Sequence, residues 1–477
     1  MNRAGGAWLV LVATALASMM DGVDATGLAV ANPVLAREFG ATLPGLELLT
    51  VGYMLVMAMA LVPAGMVADR IGHRRVFLAG LVAFAASSLL TGLSGSVAEM
   101  VVWRLFQGAA GATLAASSLA LLRHAFPPEL LKVAIGLWSA GLALATVVGP
   151  FVGGALVQFV SWRAIFFVNL PIALAAFAIA AALAPRATTD GGKSKVDVSG
   201  IALLTSSLFA LVSGITRAQV DGWASAYPMC ALVASAVLLL AFAARERAAP
   251  NPLLPPALFH SGRLVSGLAV IFAAGVTHFG TSFYFALYLQ QIKGLSPVLA
   301  GAGLLPLIGL VALGGPASGF LNRRFGARTP IVAGLLMLAA GSAGLSLAGL
   351  GSGYGATVVF LLLMGLGIGL AMPSAVEVVI AAAPKETAGV AAGLQQTVLM
   401  VSGAFGAAIY GSIITARSPG SGEQALTSYR QAEFVTGFGH ATAVGAVLTL
   451  AAAAIAAVLV RLPAPDASAA DRSPAPR

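Results

Sequence analysis

The sequence predicts an all-α integral membrane protein with fourteen transmembrane helices: two related six-helix bundles and two inserted helices. Composition, recurring apolar runs and an internal repeat carry this expectation. Of 477 residues, 59% are hydrophobic and only 9% charged. A soluble domain is about 25% charged, so this chain has too little polar surface to cover a globule in water. Apolar runs of about twenty residues recur from end to end, each long enough to cross a hydrocarbon core of roughly 30 Å. Backbone groups in lipid must be satisfied internally, which leaves helices or a closed barrel. Barrel strands alternate apolar and polar residues. These runs are apolar all round, so helices are predicted.

The predicted spans cover 7–33, 45–67, 76–94, 98–122, 132–160, 163–184, 197–215, 225–243, 264–290, 298–320, 329–350, 354–382, 387–416 and 436–461. Span 1 begins like a signal peptide, with Arg3, an apolar stretch, Ala15 and Ala17. Its apolar run continues past Asp24 to Pro33, so it reads as an uncleaved first helix. The single cysteine, Cys230, excludes an intrachain disulfide. An even number of spans puts both termini on one side, and Lys and Arg decide which. With a cytoplasmic N-terminus, inner segments hold 19 Lys and Arg and outer segments hold 6; Arg104, inside span 4, completes the 26. A multi-pass protein of the cell (plasma or inner) membrane with both termini cytoplasmic is therefore expected. The same distribution explains the net charge of +9 without nucleic acid.

The repeat is visible in glycines and a charged loop. Gly65-x3-Asp69-Arg70-x-Gly72-x-Arg74 follows span 2, and Gly319-x3-Arg323-Arg324-x-Gly326-x-Arg328 follows span 10, offset by 254. Gly108, Gly136, Gly149 and Gly154 recur as Gly365, Gly393, Gly406 and Gly411, all offset by 257. The expected division is 1–190 for the first half, 191–255 for the inserted spans 7 and 8 with their linkers, 256–462 for the second half and 463–477 for a disordered cytoplasmic tail. The inserted spans carry no evident buried charge and read as a lipid-facing addition. Duplicated helical halves in a membrane imply alternating access around a site near the midplane.

These motifs resemble the major facilitator superfamily over nearly the whole chain, which implies the major facilitator fold. The loop Gly65-Met-Val-Ala-Asp69-Arg70-Ile-Gly72-His73-Arg74-Arg75 is similar to that superfamily's signature. Six spans, two inserted and six more resemble its fourteen-helix drug:proton antiporter branch. Asp24-Ala-Thr26-x4-Ala31-x-Pro33 is similar to that branch's first-helix motif, with Ala29 where Asn is usual. Arg104-x-x-Gln107-Gly108 looks like its proton-linked motif, and Gly136-x8-Ala145-x3-Gly149-Pro150-x2-Gly153-Gly154 like its antiporter motif, with Ala145 for one glycine. The resemblance implies proton-coupled export of hydrophobic, often cationic, drugs or antibiotics, by a monomer without cofactor or metal. Its partners are protons, small hydrophobic or cationic molecules and lipids.

The residues support this physically. A carboxylate at a membrane helix centre costs about 2.5–3.5 kcal/mol, yet span 1 carries Asp21 and Asp24, three apart on one face. Asp24 lies roughly 14 Å, and Arg104 roughly 9 Å, below the outer ends of their helices, at about 1.5 Å per residue. The two can meet, and a changing distance between them would load or release a proton on Asp24. The alternative is a static pair. Asp21 is either an auxiliary proton site or the anionic contact for a cationic substrate. Asp21, Asp24, Gln107, Glu377 and His278 are the candidate substrate contacts. Glu377 is a second proton or cation site, or pairs with an inner-side Lys or Arg. His278 titrates near neutrality, or makes a helix–helix hydrogen bond.

Gating falls to the charged loop and span 5. Gly65 permits close helix packing and Gly72 a tight turn. Asp69 is placed to accept hydrogen bonds from a helix N-terminus in the other half, while Arg70 and Arg74 also hold the loop inside. Arg323 replaces the Asp in the second half, so this latch is asymmetric. Gly149-Pro150 is expected to bend span 5, and its glycines to form a tight seam. Met19, Met20, Tyr53, Met57, Trp138, Phe283 and Tyr284 are candidates for an adaptable cavity wall. A membrane enzyme is disfavoured: no Gly-x-Ser-x-Gly or His-Glu-x-x-His occurs, and Gly191-Gly192-Lys193-Ser194 lacks the upstream Gly of a phosphate loop, having Ala187 there. A dedicated exporter of one endogenous metabolite, or a non-transporting receptor or scaffold, remains as an alternative.

Overall fold

The computed structural model describes residues 3–41, 43–184, 197–249, 256–350, 352–383, 388–416 and 428–460. The tail, 463–477, lies outside them. In chain order the helices are α1 (Arg3–Phe39), α2 (Leu43–Ile71), α3 (His73–Leu93), α4 (Val97–Ala125), α5 (Pro128–Phe159), α6 (Ala164–Phe167), α7 (Asn169–Leu183), α8 (Val198–Asp221) and α9 (Ala226–Ala248). After a 3₁₀ turn come α10 (Gly262–Leu287), running into a π turn at Tyr288–Ile292, and α11 (Pro297–Phe325). The chain ends in α12 (Arg328–Ser346), α13 (Tyr354–Ala381), α14 (Ala388–Thr415) and α15 (Ser428–Leu459).

Each predicted span falls on a helix, span 6 on α6 and α7 together. Among the described residues, eleven helices are long and apolar enough to cross a membrane, and α2 makes a twelfth when its two segments are one span. The described apolar parts of α5 and α8, Val148–Phe159 and Ser199–Ile215, are shorter. α2 bends by 47° between Leu61 and Pro63, because proline removes a backbone donor and its ring crowds the preceding turn. α1 instead runs six residues past Pro33, its predicted end. There the Arg37 Nε–H donates to the Pro33 carbonyl at 3.2 Å, one turn back along the helix.

Short connections between long helices reverse the chain at each end. We call the end holding the start of α1 the terminal end and the other the far end. α1–α7 share apolar clusters of their own, including Met20, Tyr53, Phe77 and Phe84. α10–α15 share one large cluster. The two groups meet along α5 with α11 and α2 with α14. At the first seam, a Cβ at Gly154 would collide with the backbone of Pro297, and one at Gly301 with that of Pro150. At the second, Val51 and Leu55 pack on Ala404 and Ala407, with Leu211 of α8 against them. Three hydrogen bonds cross between the groups near the far end: Gln290 Nε2 to the Val30 carbonyl at 3.0 Å, the Val298 N–H to Gln158 Oε1 at 3.4 Å, and Tyr284 Oη to Glu47 Oε1. The far end is therefore zipped shut.

The inserted pair departs from expectation. α8 packs on α2 and α14, wedged at the seam rather than lying wholly in lipid, and α9 packs on α8 with little of its span buried. The pair also holds buried charge at its terminal end, where Asp197 and Glu246 are 8% and 4% exposed. Asp197 caps α8 by accepting from the Gly200 N–H, and it also accepts from Ser199 and Arg245. These donors, the Gly200 N–H first, hold its carboxyl below its ordinary 3.8. The hydropathy pattern hid both residues because they sit just at span ends.

Candidate functional site

Asp24 sits on α1 with no solvent exposure, and so do Arg104 and Gln107 on α4, Ser88 on α3 and Asn169 on α7. Such groups persist in lipid when they largely satisfy one another. Here they do so except at Arg104 Nη2 and Asn169 Oδ1, which are buried without a hydrogen-bond partner. Arg104 Nη1 donates to Asp24 Oδ2 and, at 2.8 Å, to Gln107 Oε1. Gln107 Nε2 and Asn169 Nδ2 each donate to Asp24 Oδ1 at 3.1 Å and to the Ser88 hydroxyl at 3.0 and 2.8 Å. Arg104 Nε reaches the Leu49 carbonyl of α2 at 3.1 Å. The guanidinium lies over the Tyr53 ring, 4.2 Å from its centroid, where the ring's negative face favours a cation. One ion pair thus ties four spans together, and its carboxylate accepts three donors.

Asp21 lies one turn nearer the terminal end on the same face, and differs in being partly exposed. Its Oδ1 accepts from the Tyr53 hydroxyl. Gly111 of α4 keeps this place open: a Cβ there would sit 2.9 Å from Tyr53 Oη, 3.5 Å from Asp21 Oδ1 and 3.7 Å from Met57 Sδ. The arrangement is a sealed carboxylate locked to arginine beside a partly exposed carboxylate held by a phenol, with Tyr53 touching Asp21 through its hydroxyl and Arg104 through its ring.

The remaining expected residues divide. Gly72 adopts φ 99°, a conformation that favours glycine, as does its repeat counterpart Gly326 at 75°. A Cβ at Gly65 would meet nothing within 4 Å, so no helix packs closely there. Among the described residues, Asp69 does not reach the other half. Its side chain is 73% exposed and pairs with His73 at 3.3 Å, because the seam in this structure is made at the far end. Arg74 turns inward, donating from Nε to the Ala180 carbonyl at 3.3 Å and from Nη2 to that of Ala181. It caps the last turn of α7, where a cation suits the helix dipole. Arg70 is exposed beside it. α5 runs as one helix through the buried Gly149 and Pro150. Its glycines serve two contacts: Gly154 faces α11 of the other half, while Gly153 packs on Gly27 of α1, 2.7 Å from its Cα were a Cβ added.

Glu377 is exposed and accepts from Asn322 Nδ2 at 2.6 Å. Its partner is thus an amide one helix away, not a Lys or Arg, and it lies apart from the buried network. His278 makes no helix–helix hydrogen bond through Nδ1, which is buried without a partner, and its ring lies 5.1 Å from that of Phe279. Of the suggested wall residues, Tyr53 and Tyr284 make specific carboxylate contacts, and Trp138 donates to the Thr14 carbonyl at 3.3 Å. Sequence reasoning missed Ser88, Asn169 and Glu47. The signal for Asn169 was a lone amide inside a predicted span. Glu47 stands two residues inside the edge of span 2, yet it is 1% exposed.

Eleven or twelve membrane-spanning helices among the described residues, two packed halves and a buried ion pair are the build of a solute carrier. A family model described as Major Facilitator Superfamily matches residues 14–407, and the chain belongs to that superfamily of membrane transporters, not enzymes. It is 36% identical to the tetracenomycin C resistance and export protein of Streptomyces glaucescens, covering 99% of this chain and 95% of that one. It is 32% identical to the multidrug resistance protein Stp of Mycobacterium tuberculosis, over 86% of this chain and 76% of that protein. Among solved structures, a bacterial homolog of the human lysosomal transporter Spinster superposes with a TM-score of 0.68 at 16% identity, covering 95% and 97% of the two chains. That likeness is one of fold.

Proposed function

We propose that this transporter exports hydrophobic, cationic drugs or antibiotics from the cell in exchange for protons, by alternating access. The observation that carries this is the pair of unequal carboxylates on α1, Asp24 sealed against Arg104 and Asp21 open beside Tyr53. A cation entering beside Asp21 and a proton binding the acidic pair neutralise the same charge, so each displaces the other, which is the essence of antiport. Arg104 donates to Asp24, and any rocking that lengthens their contact frees the carboxylate for another partner. With both termini cytoplasmic, the zipped far end faces outside. The inward proton gradient supplies the energy, its potential part giving about 2.3 kcal/mol per charge per 100 mV. The test is uptake of a lipophilic cation dye into proteoliposomes under an imposed pH gradient. Gradient-driven movement is expected, and movement that ignores the gradient would sink the proposal.

A second reading is a dedicated exporter of one endogenous compound. It is supported by the near full-length match to an export protein whose name specifies tetracenomycin C. A resistance panel separates the two: protection against chemically unrelated cations favours the first, protection against a single scaffold the second.

A further inference from the structure

We propose that the inserted hairpin is a strap: α8 grips both halves at the α2–α14 seam and so favours the conformation closed at the far end. This gives the insert a role. It rests on the alternating access proposed above, but not on proton coupling. α8 packs on α2 of the first half and on α14 of the second. Its Leu211 lies against the cluster of Val51 and Leu55 from α2 with Ala404 and Ala407 from α14, where the two halves meet. On α2 this place is roughly 12–18 Å below the far end, at about 1.5 Å per residue. Leu208 and Ile215, three residues before and four after, share the face of Leu211 and are 7% and 5% exposed.

α9 meets a neighbouring strip of α8 and stiffens it. The Ser235 hydroxyl donates to the Ser207 carbonyl at 2.9 Å, and a Cβ at Gly214 would sit 3.1 Å from Leu232 Cγ. At the terminal end Arg245 donates from Nη2 to Asp197 Oδ1 at 3.1 Å and from Nε to the Ser199 hydroxyl at 3.0 Å. The hairpin therefore moves as one piece. The second seam has no third helix of this kind: among the described residues, neither α8 nor α9 packs on α5 or α11. When the far end opens, α2 and α14 part, and a stiff α8 can follow only one of them. In lipid the loss is one of packing, because an acyl chain is as apolar as leucine. A leucine set among three helices makes many close atomic contacts, which a mobile chain does not reproduce. Opening gives up these contacts and closing regains them.

The experiment measures far-end separation in lipid nanodiscs with the full chain. Cys230 is replaced by Ser, and spin labels are placed at Val160→Cys and Leu347→Cys, far-end positions 71% and 82% exposed. Leu211→Ala should lower the closed-to-open ratio about tenfold, a part of the cost of a leucine-to-alanine cavity. Leu211→Val keeps more of the side chain and serves if Leu211→Ala does not fold; it should lower the ratio about threefold, in line with the smaller cavity. Val237→Ala, on α9 at a position 58% exposed, should leave the ratio as it is. A ratio unchanged in the Leu211 variants, closure that stays complete in them included, would overturn the proposal: α8 then rides with one half. An equal fall in Val237→Ala would overturn it too, since the effect would not belong to the seam. Proton coupling is tested separately by vesicle transport: gradient-independent flux with the Leu211 shift intact sinks coupling and leaves the strap.

Discussion

The two halves share a scaffold and differ in what they bury. In the first, α1 carries Asp24, α3 Ser88 and α4 Arg104 and Gln107, joined in one hydrogen-bonded ion pair. At the matching places of the second half stand Thr277, 253 residues on from Asp24, Ser342, 254 on from Ser88, and Leu361 and Met364, 257 on from Arg104 and Gln107. The register is supported by packing, since Gly27 meets α5 at Gly149 and Gly153 while Gly280, 253 on, meets α14 at Gly406. These second-half groups bond one another or a neighbouring backbone: Thr277 donates to the Gly445 carbonyl at 3.3 Å, Ser342 to that of Thr442 at 2.8 Å, and the Thr281 and Tyr410 hydroxyls share a bond at 3.2 Å. Hydroxyls that bond a neighbouring backbone oxygen sit cheaply in a membrane, whereas charges do not. The two halves thus differ in kind, with a buried ion pair in one and hydroxyls at the matching places of the other.

Breaking the charged side should have the largest effect. Arg104→Ala leaves Asp24 buried without its cation and is expected to lower stability by about 3–5 kcal/mol and to abolish coupled transport, read by detergent unfolding and vesicle flux. Arg104→Lys should not rescue flux, because Nε and Nη1 serve different partners from one rigid fork. The matching Leu361→Ala should also cost stability, about 2–5 kcal/mol from the cavity, yet leave coupling intact. Loss of coupling in both would erase the distinction between the halves.

The seam offers the next contrast. Gly154→Leu would thrust a side chain into the backbone of Pro297 and is expected to hold the far end open, seen as raised far-end label separation and near-zero flux. Gly65→Ala enters open space and should change stability by no more than about 0.5 kcal/mol. In the hydroxyl half, Thr277→Val removes one neutral hydrogen bond and should cost about 1 kcal/mol with transport retained. At the insert, Asp197→Ala removes a helix cap and should cost about 1 kcal/mol. Since the folded-state carboxyl of Asp197 is held below its ordinary 3.8, its contribution is present above that value and fades as pH falls through it. An Asp197→Ala melt should therefore differ from the unaltered protein at neutral pH and converge with it in acid.

How much of this was legible in sequence depends on range. Spans were legible because a membrane imposes length and apolarity on every helix, and the halves because glycines and a charged loop repeat at fixed offsets. The meeting of Asp24 with Arg104 was legible because two costly charges at compatible depths demand each other. Asn169 and Ser88 were not, since neutral polar residues occur throughout such helices and only packing shows which face the ion pair. Asp69 pointed to a contact between halves, and Gly65 to close helix packing, that this conformation does not make among the described residues, and a sequence does not say which end of a rocking carrier is closed. Glu47 and the capping role of Asp197 were hidden by standing at span edges, where hydropathy does not separate a solvated charge from a buried one.

The central claim is that coupling resides in the Asp24 network and not in its second-half counterpart. The most direct measurement is proton movement, reported by a pH dye trapped in proteoliposomes, when a transported cation is added to Asp24→Asn and to Thr277→Val. The account predicts that Asp24→Asn moves no protons in response to substrate while Thr277→Val moves them as the unaltered protein does. Undiminished substrate-driven proton flux through Asp24→Asn would contradict it.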